Sequence, residues 1–256
     1  LRVQIARTTA ELAEAFEVVH DSYVDTGYMA PHRSGMRIAL QQAMPRATTI
    51  IGTLDGRVVT TLTIYPDSFC RLPMDELFTE ELRPLRSQGR LIAEVGAFAS
   101  RPGFKQDSPS VILHLMKLAL HYAMHTLHVE DFVITVNPKH AMFYKAVWGF
   151  EPMGDVKAYD KVGGNPAVAL RLNLTSIERA LRTRYDGAPL RRNLATFLYD
   201  TPTPAIEFPA TRVPVRALDE HSLTRFFEGE TDVFADTDPA NVARIHSLYT
   251  REAAGG

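Results

Sequence analysis

Residues 131–152, DFVITVNPKHAMFYKAVWGFEP, constrain this chain more than any other stretch. The run 132–136 is short, unbroken and rich in β-branched residues, which predicts a strand buried on both faces. Asn137 and Pro138 stop it. From 139 to 147, Ala141, Met142, Phe143, Ala146 and Val147 mix three- and four-residue spacings, predicting a short amphipathic helix. Trp148, Gly149 and Phe150 end that helix, with Gly149 free to adopt the left-handed conformation that a side chain resists. Phe143 and Phe150 are expected in the core.

The rest of the first 174 residues supplies the elements around this unit. Residues 1–6 alternate Leu1, Val3 and Ile5 with polar neighbours, as a half-buried strand does. Thr8 and Glu11 have the spacing of a capping box, and Leu12, Phe16, Val19 and Tyr23 then form one helical stripe. Asp25, Thr26 and Gly27 break the helix. Residues 29–46 read as a loop, with 36–43 as a candidate second short helix. Two β-rich runs, 48–54 and 57–65, are joined by Asp55-Gly56, the pair that favours a tight hairpin. A short helix is expected around 76–86 and a strand over 90–100. Ser108-Pro109 is a helix start, and 111–127 is apolar almost all round, so that helix should be largely buried. Residues 166–172, PAVALRL, alternate as a last strand.

A buried strand, Asn at its end, a helix carrying Phe-Tyr and then Gly-Phe-Glu together resemble the second half of the Gcn5-related N-acyltransferase fold. The resemblance covers roughly residues 1–174. It implies an α/β (α+β) domain whose mixed central sheet is splayed between its fourth and fifth strands, with the acyl thioester sliding into the gap. Three segments, AFEVVHDSYVDTGY, LPMDELFTEEL and AEVGAFAS, resemble in their order and spacing a narrower group, the N-acyl amino acid synthases. Those are relatives of the acyl-homoserine-lactone synthases. What this implies is transfer of a long acyl chain from acyl carrier protein to the amine of an amino acid. The acyl-phosphopantetheine thioester is then a cosubstrate, and no cofactor is bound.

Two departures bear on chemistry. The homoserine-lactone relatives usually carry Arg three residues after the strand Glu; here Glu94 is followed by Ala97. Coenzyme A-dependent members use a Gly-rich turn whose amides cradle the pyrophosphate at a helix start. Here the stretch reads Gln106, Asp107, Ser108, Pro109, Ser110, in which Pro109 lacks an amide donor and Asp107 sets a carboxylate where phosphates would lie. Acyl carrier protein is therefore the expected donor, with acyl-CoA as the alternative.

An amine is mostly protonated at neutral pH, so amide formation needs a base. Glu94 stands among Leu91, Ile92, Val95 and Phe98, where an apolar setting raises a carboxyl pKa; the competing reading points it outward or pairs it with Arg90. Tyr144 takes the position where the fold often has a tyrosine beside the thioester sulfur, or else packs the helix on the sheet. Backbone amides near Phe98, Ala99 and Ser100 are expected to meet the oxyanion and, with Val136 and Asn137, to hold the thioester and pantetheine. Arg101, Lys105 and Lys139 are candidates for touching an acidic carrier protein, against the alternative of ordinary solvated charges. Tyr23, Tyr28 and Met36 are candidates for the substrate pocket. His140 is a reserve base. His121 and His125 have a metal-ligand spacing but no further ligand pattern, so no metal site is predicted.

The formal charge of -2 gives no reason to expect nucleic acid, and 45% hydrophobic with 23% charged residues describes an ordinary soluble domain. The single Cys70 fits a reducing, cytoplasmic compartment, and no run approaches a membrane span. The opening residues lack the apolar core of a signal peptide. Residues 175–256 differ: a basic helix over 176–185, a Pro-rich extended stretch over 201–215, and a last helix capped by Asp238-Pro239 with Val242, Ile245 and Leu248 inward. This C-terminal extension has too few apolar runs for its own core and is expected to pack on the first domain or on a partner. Two further functions stay open from sequence: a coenzyme A-dependent acetyltransferase of small amines, and a non-catalytic acyl-binding domain.

Overall fold

The computed structural model describes residues 1–104, 109–159, 163–210 and 213–253. Strand β1 (Arg2–Ile5) leads into helix α1 (Thr9–Asp25), whose start is held by the reciprocal Thr8 and Glu11 bonds of a capping box. The loop after α1 contains only one 3-10 turn, Leu40–Ala43, in place of a second helix. Strands β2 (Thr48–Leu54) and β3 (Arg57–Pro66) form the expected hairpin, with Asp55 and Gly56 at φ 51° and 78°. Helix α2 (Asp75–Ser87) precedes β4 (Ile92–Ser100). Helix α3 (Pro109–Tyr122) runs on through a wide π turn to Leu127, and β5 (Asp131–Val136) follows. Helix α4 (Pro138–Phe143) likewise widens into a π turn, Tyr144–Trp148, which Gly149 closes at φ 81°.

Two short strands, β6 (Glu151–Pro152) and β7 (Lys157–Tyr159), precede β8 (Asn165–Asn173). The sheet order is β1-β2-β3-β4-β5-β8-β6, with β7 also pairing β8; of these strand pairs among the described residues, β4 and β5 alone run parallel. One face packs on α3 through Ile50, Leu62, Ile64, Ala93, Phe132 and Ile134. Residues one step along the strands, such as Ile51, Tyr65, Ile92 and Val133, meet α1 and α2 on the other face. Alternation along each strand thus fills both layers, as period two requires.

The remaining residues return to the same layers. Helix α5 (Ile177–Arg184) comes first, and Leu194, Ala195, Leu198 and Ile206 join the α3 face. Ile206 also bridges Val3: the Val3 amide donates to Ala205 and Glu207 donates to the Val3 carbonyl, at 2.7 and 2.8 Å. Helix α6 (Glu220–Thr224) and the π turn after it were not apparent from the sequence. They bring Phe226 and Phe227 under α1, and helix α7 (Pro239–Ala253) adds Ile245 to the same cluster, with Val242 and Leu248 half-buried. The buried Lys117 of α3 ties this segment down, its Nζ donating to Phe197 O, Thr201 O and Thr203 Oγ1 at 2.6, 2.6 and 2.9 Å.

Candidate active site

The parallel ladder between β4 and β5 is short. It joins Ile92 to Asp131, Ala93 to Phe132 and Glu94 to Val133, and there it ends. Beyond that point β4 stays with β3 and β5 stays with β8 as far as Val136. A slot therefore opens between the two strands with Glu94 at its apex. A brace closes its narrow end: buried Asp131 accepts from Arg90 Nε at 2.6 Å and from Arg171 Nε at 2.8 Å. Arg90 is thus committed to Asp131 and Glu130.

β4 bends as it leaves. Thr61 pairs Ala99 and Thr63 pairs Gly96, so Ala97 and Phe98 together oppose Leu62, and Ala97 lies at φ 48°. A bulge of this kind breaks the ladder and turns the strand away. The segment past the bulge is fixed by Ser100 Oγ donating to Thr60 and Thr60 Oγ1 donating to the Ala99 carbonyl, both at 2.9 Å.

Glu94 is buried, 5% exposed, on the α1 and α2 face. Its Oε2 accepts the Met74 amide at 2.7 Å, at the start of α2. Burial disfavours the charged carboxylate, whereas an amide at a helix N-terminus favours it. Tyr65 is its cross-strand partner on β3, so both side chains stand on one face. Gly96 lets the Tyr65 ring lie flat against β4, because a Cβ there would sit 3.2 Å from Tyr65 Cε2. Burial pushes the Tyr65 hydroxyl upward, and the Glu94 charge adds to that; Tyr159 is raised by burial and by Glu76 and Glu94. Tyr23 is raised by burial, with Arg37 pulling it back. Tyr23 and Tyr28 meet edge to face at 5.6 Å. On β5, Thr135 shares the face of Val133, and its buried hydroxyl has no hydrogen-bond partner among the described residues.

Tyr144 borders the opposite face. It packs on the α3 layer with Phe98, Val136 and Val147, edge to face with Phe143 and Phe150 at 5.3 and 5.7 Å. Burial alone pushes its hydroxyl pKa up, so it keeps its proton through neutral pH. Phe150 is core, but Phe143 is not: it is 38% exposed, because the widened turn beginning at Tyr144 rotates it outward. Asn137 caps α4, accepting the Lys139 amide at 3.1 Å.

A sequence profile described as N-acyl amino acid synthase FeeM matches residues 14–173. That is more than half of the chain. The chain belongs to the N-acyl amino acid synthase family. Among solved structures, FeeM, an N-acyl amino acid synthase from uncultured soil microbes, is 30% identical over 68% of this chain and 96% of its own, with a TM-score of 0.59. The acyl-homoserine lactone synthase LasI is 21% identical over 67% of this chain and 89% of its own (TM-score 0.53), and BjaI, a CoA-dependent acyl-homoserine lactone synthase, 14% over 88% and 97% (0.56); at those identities the likeness is one of fold. No curated protein matches.

This synthase-family chain is accordingly an N-acyltransferase with an open mixed sheet. Of its pocket candidates, Tyr23 and Tyr28 lie together, and Met36 is buried in the cluster against which Tyr23 packs. Arg101 sits at the bulge end of β4, donating to Val58 O at 2.8 Å and facing Glu17 and Asp21 at 3.4 Å, so its charge is matched within the fold. Lys139 and His140 are exposed on α4. Lys105, Gln106, Asp107 and Ser108 lie outside the described residues, as does the cap expected from Ser108. The His121 and His125 rings lie 4.7 Å apart, tilted by 59°, and no group of three metal-binding side chains occurs among the described residues. No helix among them is long and apolar enough to cross a membrane. Sequence reasoning missed Tyr65, Tyr159, Thr135 and Arg37. Even Tyr65 left no usable signal, because its register with Glu94 belongs to the β3–β4 pairing and not to the hairpin.

Proposed function

We propose that this acyltransferase moves a long-chain acyl group from the phosphopantetheine thioester of acyl carrier protein to the amine of an amino acid. The observation that carries the reading is the fork at Glu94 and Val133, because it joins two differently furnished faces of one sheet. A thioester entering from the α3 and α4 face passes Val136, Asn137 and Tyr144. Its carbonyl then meets an amine held on the face that carries Glu94.

The reaction needs few groups. Glu94, directly or through water, takes a proton from the ammonium, and the nitrogen lone pair adds to the thioester carbon. The oxyanion so formed is met by amides of Phe98, Ala99 and Ser100, freed from β5 by the splay. Collapse breaks the carbon–sulfur bond, Tyr144 gives its proton to the leaving thiolate, and the second proton of the acylated nitrogen is lost through solvent to the Tyr144 phenolate, which restores the acid. Raised by burial, that hydroxyl is protonated at the outset, as an acid must be.

The donor assignment rests on the loop before α3, where Asp107 and Pro109 are unsuited to a pyrophosphate. It also rests on the exposed Lys139 beside the slot mouth, suited to an acidic carrier; Arg101 is the weaker candidate, given its own carboxylates. Competing matched long-chain acyl carrier protein and acyl-CoA at equal concentration, with a panel of amino acids, tests the reading. The carrier protein is expected to be used far more efficiently, and Lys139→Glu to weaken that reaction selectively. Equal or better use of acyl-CoA overturns the donor assignment and favours a coenzyme A-dependent enzyme.

A further inference from the structure

Among the described residues, Arg37 is a cation without an anion. It lies in the loop between α1 and the Leu40–Ala43 turn, its backbone amide donating to Phe16 O at 3.2 Å. Its guanidinium is half-buried and stacked over the Tyr23 ring, Cζ 4.5 Å from the centroid. No Asp or Glu among the described residues stands within 4.0 Å of it. The other partly buried arginines near the slot, Arg86, Arg90, Arg101 and Arg171, each have carboxylate partners. A guanidinium removed from bulk water and left without a counter-charge is costly unless something else supplies one.

Its location says what that is. The next residues turn to the same side of the sheet: Ile38, like Tyr23 and Ala97, packs against the cluster of Phe16 and Ile51, and Ala39, like Ala97 and Tyr159, packs against the cluster of Tyr65 and Met74. Arg37 is thereby brought to the face of the sheet that carries Glu94. Arg37 lies over Tyr23, and Tyr65 is the cross-strand neighbour of Glu94; the fields of both charges reach the hydroxyls of Tyr23, Tyr65 and Tyr159. An acid on one side and an unpaired guanidinium on the other complement the ammonium and carboxylate of a zwitterion. A guanidinium also offers the planar fork that a carboxylate accepts from in bidentate fashion.

We propose that Arg37 binds the carboxylate of the acceptor, fixing its amine toward Glu94 and restricting the enzyme to amines that carry an adjacent free acid. The proposal rests on the reading that the acceptor is an amino acid. It adds that amino-acid amides, esters and simple amines of the same side chain are rejected because they leave Arg37 unpaired. Tyr23, under the guanidinium, holds its plane.

The test compares each amino acid with its primary amide and its decarboxylated amine, in wild type and in Arg37→Gln, with KM and kcat measured separately for acceptor and donor. In wild type the free acid is favoured. In Arg37→Gln the acceptor KM rises about 10- to 100-fold, the loss of one charged hydrogen-bonded contact, while the donor KM is unchanged and preference over the amide collapses. Arg37→Lys keeps the charge without the fork and is expected to retain the preference at an intermediate KM. Should Arg37→Gln lose its melting transition, Arg37→Lys decides by its acceptor KM alone. An Arg37→Gln enzyme that folds and still discriminates acid from amide, or a lysine variant with wild-type acceptor KM, overturns the role of Arg37. Wild-type enzyme that acylates the amine as well as the acid overturns instead the amino-acid reading.

Discussion

Glu94 and Tyr144 stand on opposite faces of the same sheet, and their roles predict different penalties. Glu94→Gln keeps the volume and can still accept the Met74 amide, but it cannot take the proton; kcat should fall about 100- to 10,000-fold. Turnover at the wild-type rate across neutral pH would remove the base from Glu94. Tyr144→Phe should cost less, since a thiolate leaves fairly well without help. Burial raises the Tyr144 pKa, so its protonated form persists past the ordinary tyrosine range near 10. Any loss of rate that Tyr144 causes must therefore lie above about pH 10 in wild type and be missing in Tyr144→Phe. A limb near pH 8 that vanishes with the phenylalanine would contradict that. Glu94 could be picked out in sequence as a lone charge in an apolar strand. Tyr65 and Tyr159 could not, because an aromatic residue on a strand reads as packing until its cross-strand neighbour is known.

Among elements, the β4–β5 pair is shaped by what pins its closed end. Asp131 is fully buried between two guanidiniums, Arg90 and Arg171, that reach it from β4's start and from β8. Asp131→Asn keeps the shape and leaves both cations without their partner. A loss of about 3 kcal/mol is expected in urea unfolding, the low end for a broken buried pair because both arginines retain some solvent. No loss would mean that the brace is idle. Six strands and the two long helices were legible because their periodicities are unbroken, whereas β6 and β7 are too short to show one. The bulge was not: Ala97 adopts a positive φ that alanine does not advertise, and only the departure of β5 explains it. The candidate helix over 36–43 shrank to a single turn: Gly35 lies at φ 66°, Ala39 is extended, and Ile38 and Ala39 pack into two different clusters, which a continuous helix face would not allow.

For the molecule as a whole, the residues after Leu174 fill space that the first part leaves open. Phe226 meets Phe16 edge to face at 5.3 Å, Tyr249 donates to Ala43 O at 2.8 Å, and the Val215 amide donates to the Tyr122 hydroxyl at 2.8 Å. Truncation after Leu174 should uncover the apolar side of α1 and lower both solubility and melting temperature. A truncated chain as soluble and as heat-stable as the parent would show these contacts to be dispensable. The sequence allowed a tail that packs back but did not indicate where, since the stripe of Val242, Ile245 and Leu248 calls for a surface without saying which, and the apolar residues before it follow no period.

The bridge between Val3 and residues 205–207 gives this arrangement a schedule. β1 is an outer strand, and among the described residues its free side is covered by backbone some 200 residues further along the chain. On a ribosome adding about 5–20 residues per second, that leaves the margin of the sheet bare for roughly 10–40 s after Val3 is made. An uncovered strand margin is a template for any other extended peptide. Nascent chains crowded on one message would therefore be at greatest risk of joining through β1 late in synthesis, and the exposure ends only when the segment around Ile206 emerges and folds back.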